Sequence, residues 1–184
     1  PAFLPTGGKK QPTIFLDVGA NIDTKVEHMV ENAKIANIYS KTVFGVESPK
    51  IALLNIGTEA KKGTDLYRET YAKLAEDTTL NFVGNIEARD VLTTDVDVIV
   101  MDGFTGNMVL KSVEGTLKYF GSSLKSIFKS NPITMFAALL IKGKLNEFKK
   151  GFDYSEIGGT PIFGIDGLMI KAHGSSNEKA LFNA

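Results

Sequence analysis

The feature that most constrains the fold is a regular alternation of short apolar runs with helical patterns. Four runs predict strands, and each is followed by glycine, asparagine or aspartate: residues 13–18, 51–56, 81–83 and 96–101. Runs this rich in β-branched residues are typical of strands covered on both faces. The alternation therefore predicts an α/β fold in which helices cover both faces of a parallel-rich sheet. A chain of 184 residues fits one such unit over residues 1–184.

The two ends of the chain add further expectations. Residues 165–171 predict a fifth strand before a terminal helix. The opening segment from Pro1 is typical of a linker that runs into a strand, and the missing initial Met suggests the second half of a longer protein. Thr24, with Glu27 three residues on, predicts a capping box at the first long helix, and another helix is expected from about Asn107.

Residues 117–152, called the basic hairpin below, break the alternation. They predict a helical hairpin interrupted at Asn131-Pro132 and at Gly143, with an almost wholly apolar centre at 133–141. Seven lysines and one acidic residue between 116 and 152 give this part a charge of +6 within a chain of zero net charge. Such an asymmetry indicates contact with an anionic partner.

Polar loops follow the predicted strands, and in parallel sheets ligands bind at the carboxyl ends of strands. Loop 17–21 contains Asn21, which offers both a donor and an acceptor. In loop 102–107 two glycines precede a helix whose first N–H groups form an anion site, and Lys111 adds a positive charge one turn on. Taken alone, such loops are more often ordinary turns.

A third loop, residues 173–176, places the His173 imidazole beside the hydroxyls of Ser175 and Ser176. All three loops should emerge at one edge of the sheet, and together they favour phosphate binding. The loop that begins at Asn55 is a weaker candidate. His28 lies within a helical pattern and is interpreted as a surface residue.

Several classes of function are excluded or disfavoured by composition. The chain has no Cys and two His, so a thiol nucleophile is excluded and a metal site is not expected. Neither GxxxxGK[ST] nor GxGxxG occurs, and nothing points to nucleic acid. No signal-peptide pattern opens the chain, and no apolar run reaches the roughly 20 residues needed to span a bilayer. A cytoplasmic protein is expected.

An ordered series of motifs resembles the phosphate acyltransferase family called PlsX over nearly the whole chain. The motifs are Leu16-Asp17-Val18-Gly19-Ala20-Asn21, Leu54-Asn55-Ile56-Gly57, Gly84-Asn85-Ile86-Glu87, Asp102-Gly103-Phe104-Thr105-Gly106-Asn107, Gly158-Gly159-Thr160-Pro161 and Ala172-His173-Gly174-Ser175-Ser176. The resemblance implies a fold like that of isocitrate and isopropylmalate dehydrogenases and phosphotransacetylases. It also implies a homodimer without a cofactor. The implied reaction turns acyl-acyl-carrier protein and inorganic phosphate into acyl-phosphate for bacterial phospholipid synthesis. The family's amino-terminal half, with its Asp-Ala-Met-Gly-Gly-Asp-like motif, has no counterpart here.

Site roles follow as hypotheses on that resemblance. The expected catalytic residues are His173, Asn21, Asp102 and Lys111. The expected phosphate- and acyl-binding residues are Gly19, Asn55, Gly103, Gly106, Asn107, Gly174, Ser175 and Ser176. Asn21 or Asn107 would donate to the phosphate or carbonyl oxygen, and His173 would orient phosphate or protonate the leaving thiolate.

The basic hairpin has three interpretations. It is a core or dimer interface with lysines on its solvent side, an amphipathic anchor on an anionic membrane surface, or a docking site for the acidic carrier protein. The latter two are preferred, with peripheral attachment to the inner face of the cell membrane. The expected contact residues are Met135, Phe136, Leu139, Leu140, Lys142 and Lys144. Alternatives for the whole chain are a short-chain phosphotransacetylase-like enzyme and a non-catalytic membrane- or carrier-binding fragment.

Overall fold

The structure is a computed structural model that describes residues 1–7, 9–151, 158–172 and 176–184, with the backbone alone for 147–151. Its strands are β1 (Ala2–Leu4), β2 (Thr13–Leu16), β3 (Lys50–Asn55), β4 (Asn81–Glu87), β5 (Val98–Val100), β6 (Gly159–Pro161) and β7 (Ile170–Ala172). Its helices are α1 (Val26–Phe44), α2 (Asp65–Glu76), α3 (Gly103–Phe128), α4 (Pro132–Gly151) and α5 (Glu178–Asn183), and Ala88–Asp90 forms a 3-10 turn.

The main sheet has the strand order β1-β2-β5-β3-β4, and all neighbours except β1 and β2 are parallel. The predicted parallel-rich sheet flanked by helices is therefore confirmed. The opening segment is more than a linker, because Ala2–Leu4 pairs with β2 as an antiparallel edge strand. Phe3 holds this edge in place, since its ring is buried and stacks on Tyr39 at 5.6 Å.

Alternate residues of the strands form two apolar layers, because successive side chains of a strand point to opposite faces. One layer packs against α1 and α2 through Met29 and Leu74. The other is covered by Val91 and Val96, which lie within the β4–β5 connection, and by Val109 of α3. The connection between Glu87 and Val98 is short, so a 3-10 turn rather than an α-helix crosses this face.

The prediction of a fifth strand over residues 165–171 is wrong in extent and in partner. Only Ile170–Ala172 is extended, and it pairs antiparallel with Gly159–Pro161 in a separate two-stranded sheet. Gly164 and Gly167 both have positive φ values, which turn the chain back within the apolar run. This small sheet is connected to the main body by Phe163, whose ring centroid lies 5.3 Å from that of Tyr39.

In the basic hairpin, the end of α3 is joined to α4 at 129–131. Asn131 accepts a hydrogen bond from the Thr134 N–H at 3.0 Å, and Pro132 occupies the first helical position, where its missing donor costs nothing. Gly143 does not interrupt α4, contrary to expectation. A solvent-exposed glycine costs a helix only about 1 kcal/mol relative to alanine, which a helix of this length tolerates.

Two helix starts differ from prediction. Helix α3 begins at Gly103 rather than near Asn107, because Asp102 caps it. Thr24 does not cap α1, since its hydroxyl donates to the Asn21 carbonyl at 3.0 Å and Lys25 is the residue at the N-cap.

Candidate functional site

Loops 17–21 and 102–107 meet at the carboxyl edge of the sheet, after the neighbouring strands β2 and β5. Strand pairing continues past the strand ends, since the Asp17 N–H donates to the Met101 carbonyl at 2.8 Å. The contact between the loops is very close. A Cβ on Gly106 would lie 1.8 Å from the Asp17 carbonyl oxygen, and one on Gly103 would lie 2.2 Å from that of Asn21. The two glycines therefore let the start of α3 rest directly on loop 17–21.

The carboxylate of Asp17 organises its own loop. It accepts hydrogen bonds from the N–H groups of Gly19, Ala20 and Asn21 at 3.0, 2.9 and 2.7 Å. The side chain is buried, and these three donors compensate its charge. Asp17 thus fixes the backbone that presents Asn21.

The carboxylate of Asp102 is bound in a similar way. One oxygen accepts the Thr105 N–H at 2.9 Å, and the other accepts the Thr105 hydroxyl at 2.6 Å and the phenol of Tyr67. Burial opposes ionisation of Asp102, but the bonds from Thr105 and Tyr67 outweigh it and hold its pKa below the ordinary value. Asp102 is therefore an ionised cap at the start of α3.

Hydrogen bonds within loop 102–107 limit what it can offer a ligand. The Thr105 N–H is taken by the Asp102 carboxylate, and the Gly106 N–H donates to the Asp102 carbonyl at 2.9 Å. Phosphate was expected to bind N–H groups of this turn, and these two are already engaged. A ligand held here would therefore depend more on side chains that border the two loops.

Asn21 and Asn107 are the amide side chains at that border, and both residues are exposed. Gly19 lets loop 17–21 pack closely against Asn107, because a Cβ at Gly19 would lie 3.4 Å from the Cβ of Asn107. Asn21 is oriented by His28, whose Nδ1 lies 3.1 Å from the Asn21 side-chain nitrogen and also accepts the Lys25 N–H at 3.3 Å. His28 is thus a partly exposed neighbour of the candidate site.

Asn55 lies at the end of β3 but makes only internal bonds in this structure. Its side-chain nitrogen donates to the Lys62 carbonyl at 3.1 Å and to Asn85 at 3.3 Å, while its oxygen accepts the Ile56 N–H at 2.8 Å. These bonds fix the loop between β3 and α2. Gly63 in that loop contacts both Asn55 and Tyr67, so Asn55 reaches the other two loops only indirectly.

Of the remaining predicted site residues, the structure describes some and not others. Lys111 is exposed and forms an ion pair with Glu114 at 2.7 Å. His173, Gly174 and Ser175 lie outside the described residues. Ser176 is described, and within the described part of the chain its hydroxyl is buried without a hydrogen-bond partner. No group of three or more His, Asp or Glu side chains among the described residues is arranged to hold a metal ion.

Tyr67 and Thr105 are site neighbours that the sequence did not single out. Tyr67 reads as one of the apolar residues on the buried face of α2, and this is also where the structure places its ring. The hydrophobic spacing of α2 could not mark Tyr67 as a site neighbour, but the chemistry of its side chain could. A phenol on a buried helix face requires a hydrogen-bond partner, and the nearest unmatched acceptors were the carboxylates at the strand ends.

Alkaline pH should destabilise the protein partly through Tyr67. Burial raises the pKa of Tyr67, and the hydrogen bond to Asp102 adds to the rise. A group whose pKa is higher in the folded state contributes stability below its unfolded pKa, about 10 for tyrosine, and loses it as the pH rises further. We expect the unfolding free energy to fall less between about pH 8 and about pH 11 in Tyr67→Phe than in the wild type.

Urea unfolding at the two pH values measures this difference. Tyr119→Phe is the matched control, because Tyr119 lies on α3 with 74% of its surface exposed. An identical pH dependence in wild type and Tyr67→Phe would contradict the prediction.

The basic hairpin exposes a continuous apolar surface. The predicted apolar contact residues Met135, Phe136, Leu139 and Leu140 are all exposed, and so is the neighbouring Ile133, at 82%. Helices α3 and α4 border a groove of about 780 Å³ with an apolar floor. Among the side chains that the structure describes, its lining includes four lysines and no carboxylate: Lys118, Lys125, Lys129 and Lys142. None of the described helices combines the length and apolar character needed to cross a bilayer.

Comparison with known proteins gives a consistent result. The family model described as "Fatty acid synthesis protein" matches residues 1–184. Proteins named "Phosphate acyltransferase" from Staphylococcus aureus strains MRSA252, MW2 and USA300 are each 50% identical over 171 residues, which is 93% of this chain and 52% of theirs. The chain therefore spans about half the length of the curated relatives it matches.

Proposed function

Because the chain belongs to the fatty acid synthesis protein family and its curated relatives are phosphate acyltransferases, we propose that it transfers a long acyl group from acyl-carrier protein to inorganic phosphate. The product, an acyl-phosphate, would feed bacterial phospholipid synthesis. The observation that carries this proposal is the direct contact of loops 17–21 and 102–107 at the carboxyl edge of the sheet. In that contact Asn107 packs against Gly19, two residues before Asn21 in the same loop, and in parallel sheets ligands bind at this edge.

In the proposed reaction a phosphate oxygen attacks the thioester carbonyl carbon. A C–O bond forms, the C–S bond breaks, and the leaving thiolate takes up a proton to become the carrier thiol. The task of the protein is to hold the two reactants together and to stabilise the negative charge that develops on the carbonyl oxygen. Correct placement can supply about 7–11 kcal/mol of the barrier reduction, and one well-placed oxyanion donor about 3–4 kcal/mol.

Each proposed site residue has a role that follows from the hydrogen-bond donor or proton that its side chain can supply. Asn21 and Asn107 supply amide N–H donors to phosphate or to the carbonyl oxygen. Ser176, whose buried hydroxyl has no partner within the described residues, supplies another donor to phosphate. We assign the proton for the leaving thiolate to His173, with Gly174 and Ser175 beside it on the phosphate. Lys111 would have to exchange its partner Glu114 for phosphate, which is feasible for an exposed pair.

Asp17 and Asp102 lie near the proposed phosphate site, although their negative charges would repel phosphate. Each is held by hydrogen bonds from its own neighbourhood: three N–H groups at Asp17, and an N–H and two hydroxyl groups at Asp102. This arrangement spreads their charge over donors within the protein. We propose that both acids act by shaping the two loops, and that neither contacts the phosphate directly.

The basic hairpin would bring the enzyme to its substrates. An exposed apolar surface rimmed by lysines fits an anionic membrane surface, and the same lysines would speed association with an acidic carrier protein. We propose peripheral attachment at the inner face of the cell membrane through Met135, Phe136, Leu139 and Leu140, with Lys142 and Lys144 at the headgroups. A homodimer would use part of the remaining apolar surface of the hairpin.

Formation of acyl-phosphate from long-chain acyl-acyl-carrier protein and inorganic phosphate tests this function. The purified chain is assayed alone and with the remaining, amino-terminal part of an S. aureus relative supplied separately. Turnover in either case supports the proposal, and turnover only in the mixture would place part of the site on the added half. Faster turnover with acetyl-CoA would favour a short-chain enzyme. Binding of carrier protein or membranes without turnover would favour a non-catalytic module.

A further inference from the structure

Tyr67 makes two hydrogen bonds to Asp102, and each uses a different part of that residue. The phenol donates to the carboxylate, and its oxygen accepts the backbone N–H of Asp102 at 3.4 Å. The ring is buried on α2, so both bonds form away from bulk water. Tyr67 therefore clamps the side chain and the backbone of Asp102 together.

The clamp connects elements that are otherwise separate in this region. Asp102 follows β5 and caps α3, whereas Tyr67 belongs to α2. A Cβ on Gly63 would lie 2.9 Å from the Cβ of Tyr67, so this loop passes directly against Tyr67. The first turn of α3 is thus tied to α2 through the Tyr67 hydroxyl, in addition to its direct contact with loop 17–21.

The direction of the Asp102 carboxylate depends on that hydroxyl. Without it, the carboxylate keeps the Thr105 N–H at Oδ1 and the Thr105 hydroxyl at Oδ2, but it loses the donor that comes from α2. A carboxylate with one donor fewer gains freedom to turn towards Asn107 and loop 17–21, where its charge would repel a bound anion. Phenylalanine fills the same space as tyrosine but supplies neither bond.

We propose that Tyr67 is a positioning residue for phosphate: through Asp102 it holds the first turn of α3 against loop 17–21 and keeps the carboxylate turned away from the anion. This inference rests on the proposed function, since it assumes that phosphate binds between the two loops. Tyr67 itself does not touch the substrate.

Titration of the ¹⁵N-labelled chain with inorganic phosphate tests the inference, with the amide signals of loops 17–21 and 102–107 as the readout. We expect Tyr67→Phe to weaken phosphate binding about tenfold, which corresponds to about 1.4 kcal/mol. Tyr71→Phe is the matched control. Tyr71 lies one turn along α2 with its ring packed against Phe82 at 5.1 Å, and it should bind phosphate like the wild type.

A double-mutant cycle distinguishes positioning from a general loss of stability. If Tyr67 acts through Asp102, Tyr67→Phe should have little further effect on phosphate affinity in an Asp102→Asn background. Additive effects of the two changes would overturn the inference. Equal affinities of wild type and Tyr67→Phe would also overturn it, as would equal losses in Tyr67→Phe and Tyr71→Phe.

The proposed function is judged by a separate measurement, the acyl-phosphate assay on the same variants. Phosphate binding that depends on Tyr67, without turnover by the wild type, would support the inference and contradict the function. Turnover by the wild type, with an unchanged KM for phosphate in Tyr67→Phe, would support the function and contradict the inference. Absence of phosphate-induced shifts in both loops of the wild type would overturn the inference, whatever the assay shows.

Discussion

Gly106→Ala should lower the unfolding free energy by about 3 kcal/mol and abolish phosphate binding between the two loops. The added Cβ would lie 1.8 Å from the carbonyl oxygen of Asp17, a backbone atom that cannot rotate away. The start of α3 must then move off loop 17–21. This movement separates Asn107 from Asn21 and breaks the arrangement on which the candidate site depends. Urea unfolding and phosphate titration measure the two effects.

Gly115→Ala is the matched control on the same helix. Outside the neighbouring turns of its own helix, a Cβ at Gly115 has no atom of the described residues within 4 Å. Alanine should therefore stabilise α3 by up to about 1 kcal/mol through its higher helix propensity. Opposite signs at the two positions would show that contact with loop 17–21, and not helix propensity, decides the result. A Gly106→Ala variant as stable as the wild type would contradict the close approach of the loops.

The parallel sheet could be predicted because its central strands are recognisable in the sequence as apolar runs. Runs such as 96–101 are apolar on both faces, and Asp or Gly follows where the chain leaves the sheet. The strands near the ends of the chain were harder to predict, because short strands form only where a partner strand is available. Ala2–Leu4 forms a strand only by pairing with β2, and the two glycines at 164 and 167 redirect a run that is otherwise strand-like.

The convergence of loops 17–21 and 102–107 could also be predicted, since strands β2 and β5 end at the same edge. Which donors and acceptors inside the loops remain available to a ligand could not be predicted. That depends on hydrogen bonds between residues far apart in sequence, such as Tyr67 with Asp102, and on local ones such as Asn21 with His28. Residue types show that a donor is present, but only the packing of α2 against the β5 end shows where it is used.

Replacing both Leu139 and Leu140 with Glu should reduce binding to anionic vesicles more than tenfold. Both side chains are largely exposed on α4, where they can enter the boundary between headgroups and acyl chains. Burial of one leucine contributes about 1.5–3 kcal/mol, and two carboxylates would instead meet the negative surface potential of the membrane. Co-sedimentation with vesicles that contain anionic lipid measures the loss.

Ile38→Glu is the control for the charge change, because Ile38 is 60% exposed on α1, outside the basic hairpin. It should retain vesicle binding, apart from a small effect of its added charge. The competing interpretation, in which the two leucines belong to a dimer interface, predicts a different result. The double variant would then be monomeric by light scattering yet bind vesicles as the wild type does. Loss of vesicle binding at unchanged oligomeric state would instead assign Leu139 and Leu140 to the membrane, because the lysines of the hairpin remain in place and cannot hold the protein there alone.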